Sequence, residues 1–183
     1  MNNNANPAPE SDTRNVEDRF KGLSVAQIVE VLDSEGVVLE VAIENTLRDF
    51  NMGSIVRTAN AFGVRRLHIV GRRQWNKRGA MKTDAYMHLD YYSSTEEFVD
   101  MVHDRGYSLV AVDNVPGSQA LGKTKLPEKC ILLFGQEGPG LSRELIEVSD
   151  SLVAIEQFGS TRSLNVGVAA GVVMYIWLAQ HKL

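Results

Sequence analysis

The chain has 183 residues, a net charge of −4 and a single cysteine, which allows one domain with a substantial core and no internal disulfide. Hydrophobic residues make up 44% and charged residues 23%, ordinary for a soluble globular protein. The most apolar stretch, 166–179, is too short to span a bilayer and carries two glycines. No membrane partner is expected, and a cytoplasmic location is.

Residues 1–18 are rich in Asn, Pro and Ala without apolar periodicity, and are expected to be a disordered tail. An N-terminal helical segment follows at 19–36. In it Val25, Ile28, Val29 and Leu32 have helical spacing, Ser24 and Gln27 can form a capping box, and Gly36 can stop the helix. Residues 37–43, rich in β-branched side chains, read as the first strand. A helix is expected over 52–62, ended by Gly63, and a strand over 65–70. Residues 71–88 are too polar for a core and too long for a simple turn. A helix starts at Ser94 or Thr95 and stops at Gly106. Strands are expected at 107–112, 131–134 and 152–155, a helix from Ser142, and a final helix at 164–180. Strands that alternate with helices define an α/β class with a mainly parallel sheet flanked by helices.

The charge is unevenly spread. Residues 48–82 hold nine basic residues and one acid, net +8, against −12 for the remainder. Such a basic island is the electrostatic footprint of a polyanion, and nucleic acid is the expected partner. Trp75 and Tyr86 add candidate stacking surfaces among the positive charges.

Two strand-end loops carry the candidate site. The first follows 131–134 and has three glycines in six positions, with Glu137 between them. Its carboxylate disfavours a phosphate and suits a neutral or cationic ligand. The second, 156–165, leads into the last helix, with Ser163 and Asn165 as candidate caps. The two loops are expected to lie side by side and form one pocket. Upstream, Asn51 is placed to cap the helix at 52–62, with Arg57 near the same end as a candidate phosphate clamp. Cys130 reads as a small buried hydrophobe.

The residues Asn51-x-Gly-x-Ile-x-Arg57-Thr-Ala, then Leu-Leu-Phe134-Gly-x-Glu137-Gly-x-Gly-Leu-Ser, then Ser163-Leu-Asn165-Val-x-Val-Ala-Ala-Gly-Val resemble the three motifs of the SPOUT superfamily. More narrowly, they are similar to the SpoU-type RNA 2′-O-ribose methyltransferases. The resemblance covers residues 37–183 and implies a catalytic domain there, with a C-terminal deep trefoil knot. It also implies S-adenosyl-L-methionine as cofactor, no metal, and a homodimer. The implied catalytic residues are Arg57, Asn51, Glu137, Ser163 and Asn165. The implied cofactor contacts are Val112, Phe134, Gly135, Glu137, Gly138, Ile155, Gln157, Ser163, Leu164 and Asn165. RNA contacts are expected from Arg48, Arg57, Arg72, Arg73, Trp75, Lys77, Arg78 and Lys82. Two positions depart from the resemblance: Gln136 stands where Asn is frequent, and Gln157 where an apolar Met is common. Many relatives carry an additional N-terminal RNA-binding domain. Only about 36 residues precede the first strand here, so tRNA is expected as substrate ahead of ribosomal RNA.

Overall fold

The structure, a computed structural model, describes residues 12–46 and 51–183. Most of the expected tail and Arg48 lie outside the described residues. Within 12–18, Arg14 pairs with Asp12 and donates to the Leu23 carbonyl at 2.7 Å.

Helix α1 (Val25–Glu35) begins in the expected capping box: Ser24 Oγ accepts from the Gln27 N–H, and Gln27 Oε1 accepts from the Ser24 N–H. Strand β1 (Glu40–Asn45) starts later than expected, and Val37 makes an isolated bridge to Val64 instead. Helix α2 (Met52–Ala61) ends before Gly63, whose φ of +76° suits a residue without Cβ. Strand β2 (Arg66–Gly71) is followed by two 3-10 turns in the polar segment, joined by left-handed Met81 and Lys82. Strand β3 (His88–Tyr92) was not anticipated from the sequence. It is an edge strand, half-buried along its length, so it lacks the apolar run that marks a central strand.

Helix α3 (Thr95–Asp104), capped by Ser94, leads to strand β4 (Ser108–Val112). The polar connection then contains a two-residue strand, β5 (Gln119–Ala120). Strand β6 (Cys130–Phe134) is buried at every position, and burial pushes the Cys130 thiol up to about 12. The chain ends with α4 (Arg143–Glu147), β7 (Ser151–Ala154) and α5 (Val166–His181).

All seven strands among the described residues are parallel, in the order β3-β2-β1-β6-β4-β7-β5. Side-chain alternation sorts the core into two layers. Val41, Ile43, Leu132 and Phe134 face α2 and α5, while Ala42, Ile131 and Leu133 face α3 and α4. Helix α5 buries Ala170, Val173, Met174 and Trp177.

A buried charged group stands at the start of β1. Glu40, 6% exposed, meets His68 Nε2 at 2.7 Å and accepts from Arg105 at 2.6 and 2.9 Å and from the Tyr107 hydroxyl at 3.1 Å. Burial pushes its carboxyl up, but the hydrogen bonds from His68 and Arg105 outweigh burial and hold it below the usual carboxylate range. A lowered folded-state pKa stabilises the fold above about pH 4.3, and that contribution is lost as pH falls through the folded value. Glu40→Gln is therefore expected to lower unfolding stability by about 2 kcal/mol at pH 7. Urea titrations at stepped pH should show the gap between wild type and variant closing below about pH 4; a pH-independent gap counts against an ionised Glu40.

Candidate active site

In a parallel sheet the carboxyl ends of all strands open on one edge, where ligands collect. Here the segments after β4, β6 and β7 and the first turn of α5 enclose a cavity of about 410 Å³. The two glycine-bearing loops do not come from adjacent strands, contrary to expectation. Strand β4 runs between β6 and β7, and its own end, with Asp113 and Asn114, supplies part of the wall.

The loop after β6 is fixed by close backbone contact. Gln136 and Gly140 exchange both backbone hydrogen bonds, at 3.1 and 3.2 Å. A Cβ on Gly135 would lie 2.2 Å from the Gly140 carbonyl carbon, so no side chain fits there. Gly138 and Gly140 take φ of +101° and +72°. Two acids absent from the sequence-based site hold the far side of the loop. Asp113 Oδ2 accepts the Leu141 N–H at 2.8 Å, and Glu44, 7% exposed, accepts the Ser142 N–H at 2.7 Å. The available signal was their position: each is an acid at the end of an apolar strand. Gln136 donates to Thr46 Oγ1.

Glu137 joins three elements. Asn51 Nδ2 donates to one of its oxygens at 2.6 Å, and Asn165 Nδ2 to the other at 3.1 Å. The Asn165 amide also donates to Asn51 Oδ1 at 2.9 Å. Asn165 caps α5 as expected, its Oδ1 accepting from the Gly167 and Val168 N–H groups. Asn51 occupies the cap position of α2 but makes no side-chain cap; its amide turns to Glu137 instead. Ser163 caps nothing and lines the cavity.

Val112, Phe134, Gly135, Glu137, Gly138, Ile155, Gln157, Ser163 and Leu164 all line the cavity, whereas Asn165 stands beside it. Gln157 Oε1 is buried without a hydrogen-bond partner. Arg57 is exposed on α2, away from the cavity lining, and among the described residues no carboxylate pairs with it.

The basic island divides in two. Arg65 is buried against Asp33 and the Tyr86 carbonyl, and Arg66 pairs with Asp90 and Glu40, so both serve the fold. Lys77 pairs with Asp84 at 2.7 Å. Arg72, Arg73, Arg78 and Lys82 are exposed. Trp75 is partly buried against the main core, with Lys77 over its ring at 5.5 Å. Tyr86 is not the stacking surface expected: it is buried with Phe20 and Ile28.

The sequence profile of the SpoU rRNA Methylase family matches residues 38–175, and the chain belongs to that family. It is 28% identical over 160 residues to a tRNA (guanosine(18)-2′-O)-methyltransferase of Borreliella burgdorferi, covering 86% of this chain and 73% of the relative. An Aquifex aeolicus protein of the same name is 27% identical, covering 80% and 71%. The solved structure of the A. aeolicus TrmH/SpoU tRNA modifying enzyme matches with a TM-score of 0.75 at 25% identity, over 86% of this chain and 82% of that one. The SpoU methyltransferase AviRb of Streptomyces viridochromogenes, in complex with AdoMet, matches with a TM-score of 0.70 at 25% identity, and this chain covers 59% of its length.

The loop geometry predicts a sharp contrast between two glycines. Gly135→Ala is expected to cost about 1–3 kcal/mol through overpacking, seen as a melting temperature lowered by about 2–4 °C per kcal/mol. A Cβ on Gly159 meets nothing within 4 Å, so Gly159→Ala should melt with wild type. Equal melting of both variants would mean that the loop is not closed as described.

Proposed function

We propose that the protein transfers the methyl group of S-adenosyl-L-methionine to a ribose 2′-hydroxyl of RNA, with tRNA as substrate. The observation that carries this reading is the Asn51–Glu137–Asn165 junction at a cavity of cofactor size. The family, the tRNA methyltransferases among its relatives and the AdoMet-bound neighbour support it. Ribosomal RNA is the second reading, favoured by the family's description.

The residues present fit the cofactor. The cavity pairs apolar walls with a carboxylate-bearing loop, which suits a cationic ligand better than a phosphate, and it holds an unmet acceptor on Gln157. Val112, Phe134, Ile155 and Leu164 would supply the apolar walls. Gly135, Gly138, Glu137, Gln157, Ser163 and Asn165 would supply close backbone approach and polar contacts. When bound, the cofactor supplies a methyl group on a sulfonium centre. The protein's own contribution is to hold the ribose hydroxyl in line and to steady charge. A guanidinium keeps its proton in proteins and is a poor base; the planar guanidinium of Arg57 would bind a phosphate beside the target ribose and stabilise the developing alkoxide. A substrate phosphate would assist removal of the hydroxyl proton.

Three further features belong to the same reading. Residues 37–183 form the catalytic domain, and the loops after β6 and β7 are those of a trefoil knot, a reading supported by the insertion of β6 between β1 and β4. The active form is a homodimer: Val168, Val172 and Tyr175 are 56%, 38% and 53% exposed along one stripe of α5, apolar surface suited to a second copy. RNA as substrate supports a cytoplasmic location.

Arg57→Lys is expected to lower methyl transfer about 100-fold while RNA binding persists, measured with labelled cofactor on bulk tRNA and, in parallel, rRNA. Near-full turnover by the lysine variant would remove both roles given to the guanidinium. Light scattering should place wild type near twice the 20.2 kDa chain mass and Val172→Arg near the chain mass; a wild-type monomer at micromolar concentration would sink the dimer.

A further inference from the structure

We propose that Arg73 is a phosphate clamp that sets the register of the RNA backbone on this face, and that Tyr91 of the edge strand β3 holds it in position; both roles rest on the RNA reading above. The Arg73 guanidinium carbon lies over the Tyr91 ring, 4.8 Å from its centre, within the range of a cation–π contact. Lys77 also has a ring beneath it, Trp75 at 5.5 Å, but its ammonium is engaged by Asp84 at 2.7 Å. Arg72, Arg78 and Lys82 are exposed and have neither a ring nor a carboxylate partner among the described residues. Arg73 alone on this segment combines a placed head with an unpaired charge.

The parts around Arg73 are themselves fixed. Tyr91 pairs with Ile69 of β2 and packs against the main core, and the Trp75 indole N–H donates to its hydroxyl in a long hydrogen bond of 3.5 Å. Asn45 Nδ2 donates to the carbonyls on either side of Arg73, those of Arg72 at 2.5 Å and Gln74 at 3.1 Å. The next residue, Thr46, accepts from Gln136, which lines the cavity. Clamp and cavity loop are thus fastened to neighbouring residues at one strand end, so a phosphate held at Arg73 keeps a fixed offset from the cavity. A guanidinium grips phosphate with two N–H groups in its own plane. A ring beneath it restrains a long side chain that would otherwise lose rotamer freedom on binding, and such phosphate contacts set register.

Filter binding to bulk tRNA and rRNA, together with steady-state methyl transfer, tests the assignment. Arg73→Lys keeps the charge and loses the fork, and is expected to weaken RNA binding about tenfold. The loss should appear in KM for RNA, with kcat within about twofold of wild type. Tyr91→Leu should weaken binding about fivefold, whereas Tyr91→Phe, which keeps the ring, should restore it to within about twofold. In an Arg73→Gln background Tyr91→Leu should add less than about twofold, because the ring acts through the arginine. Should Tyr91→Leu fail to melt cooperatively, Tyr91→Met takes its place. RNA affinity within about twofold of wild type in Arg73→Lys, at an exposed position, overturns the clamp. Equal weakening by the Tyr91 variant with and without Arg73, or a lowered melting temperature with unchanged RNA affinity, overturns the role of Tyr91. A wild-type protein that binds neither RNA overturns the RNA reading itself.

Discussion

One carboxylate shared between two asparagine amides organises the functional end of this molecule. Glu137 leaves the glycine loop after β6, and Asn51 and Asn165 stand at the start of α2 and α5. The positive ends of two helix dipoles thus converge on one negative charge, an arrangement that stabilises the anion and fixes both helices. The Asn165–Asn51 hydrogen bond closes the triangle. A loop built only of glycines would have close approach without position; this junction supplies position. It also explains why Asn51 makes no side-chain cap: its Oδ1, the atom that would accept a helix N–H, accepts from Asn165 Nδ2 instead.

The strand order makes that convergence possible. Laid down after β4, β6 enters between β1 and β4, so its trailing loop emerges in the middle of the sheet edge. Glu44 at the end of β1 and Asp113 after β4 then reach it from both sides and take its Ser142 and Leu141 N–H groups. The loop's backbone donors are therefore satisfied from neighbouring strands, and Ser142 remains to cap α4. Helix α5 returns to pack beside α2, so the helix that follows β1 and the last helix of the chain meet at the same place.

The sequence carried the class of fold, the central strands and the two loops, because buried strands and glycine clusters have local signatures. It carried less of what depends on pairing at a distance. The expectation that the two loops follow adjacent strands assumed a sheet filled in chain order, and nothing local announces that β4 separates β6 from β7. Strand β3 was missed because a half-buried edge has no apolar run. Tyr86 looked available for stacking because its packing against Phe20 and Ile28 joins segments far apart in the chain. The basic island was overcounted for the same reason. Asp33, Asp84 and Asp90, which lie outside the 48–82 window, neutralise Arg65, Lys77 and Arg66 within the fold.

What remains of the island is more informative than its total charge. The segment after β2 is not a loose polycationic loop. Asn45 Nδ2 donates to the Arg72 and Gln74 carbonyls, and the Asn45 carbonyl accepts the Arg72 N–H at 2.7 Å, fastening the segment to the end of β1. Further on it presses into α2 so closely that a Cβ on Gly53 would meet the Ala80 nitrogen at 2.6 Å. Arg72, Arg73, Arg78 and Lys82 project from this anchored segment, and no carboxylate pairs with them among the described residues. They share a helix-anchored frame with Arg57 and leave from the same sheet edge as the cavity. In the proposed reaction, electrostatic attraction would thus deliver the RNA backbone to a rigid surface, where phosphate contacts set register and orientation and carry no sequence information. Selection of the target nucleotide then falls to the shape of the RNA on that surface and to the groups at the cavity mouth.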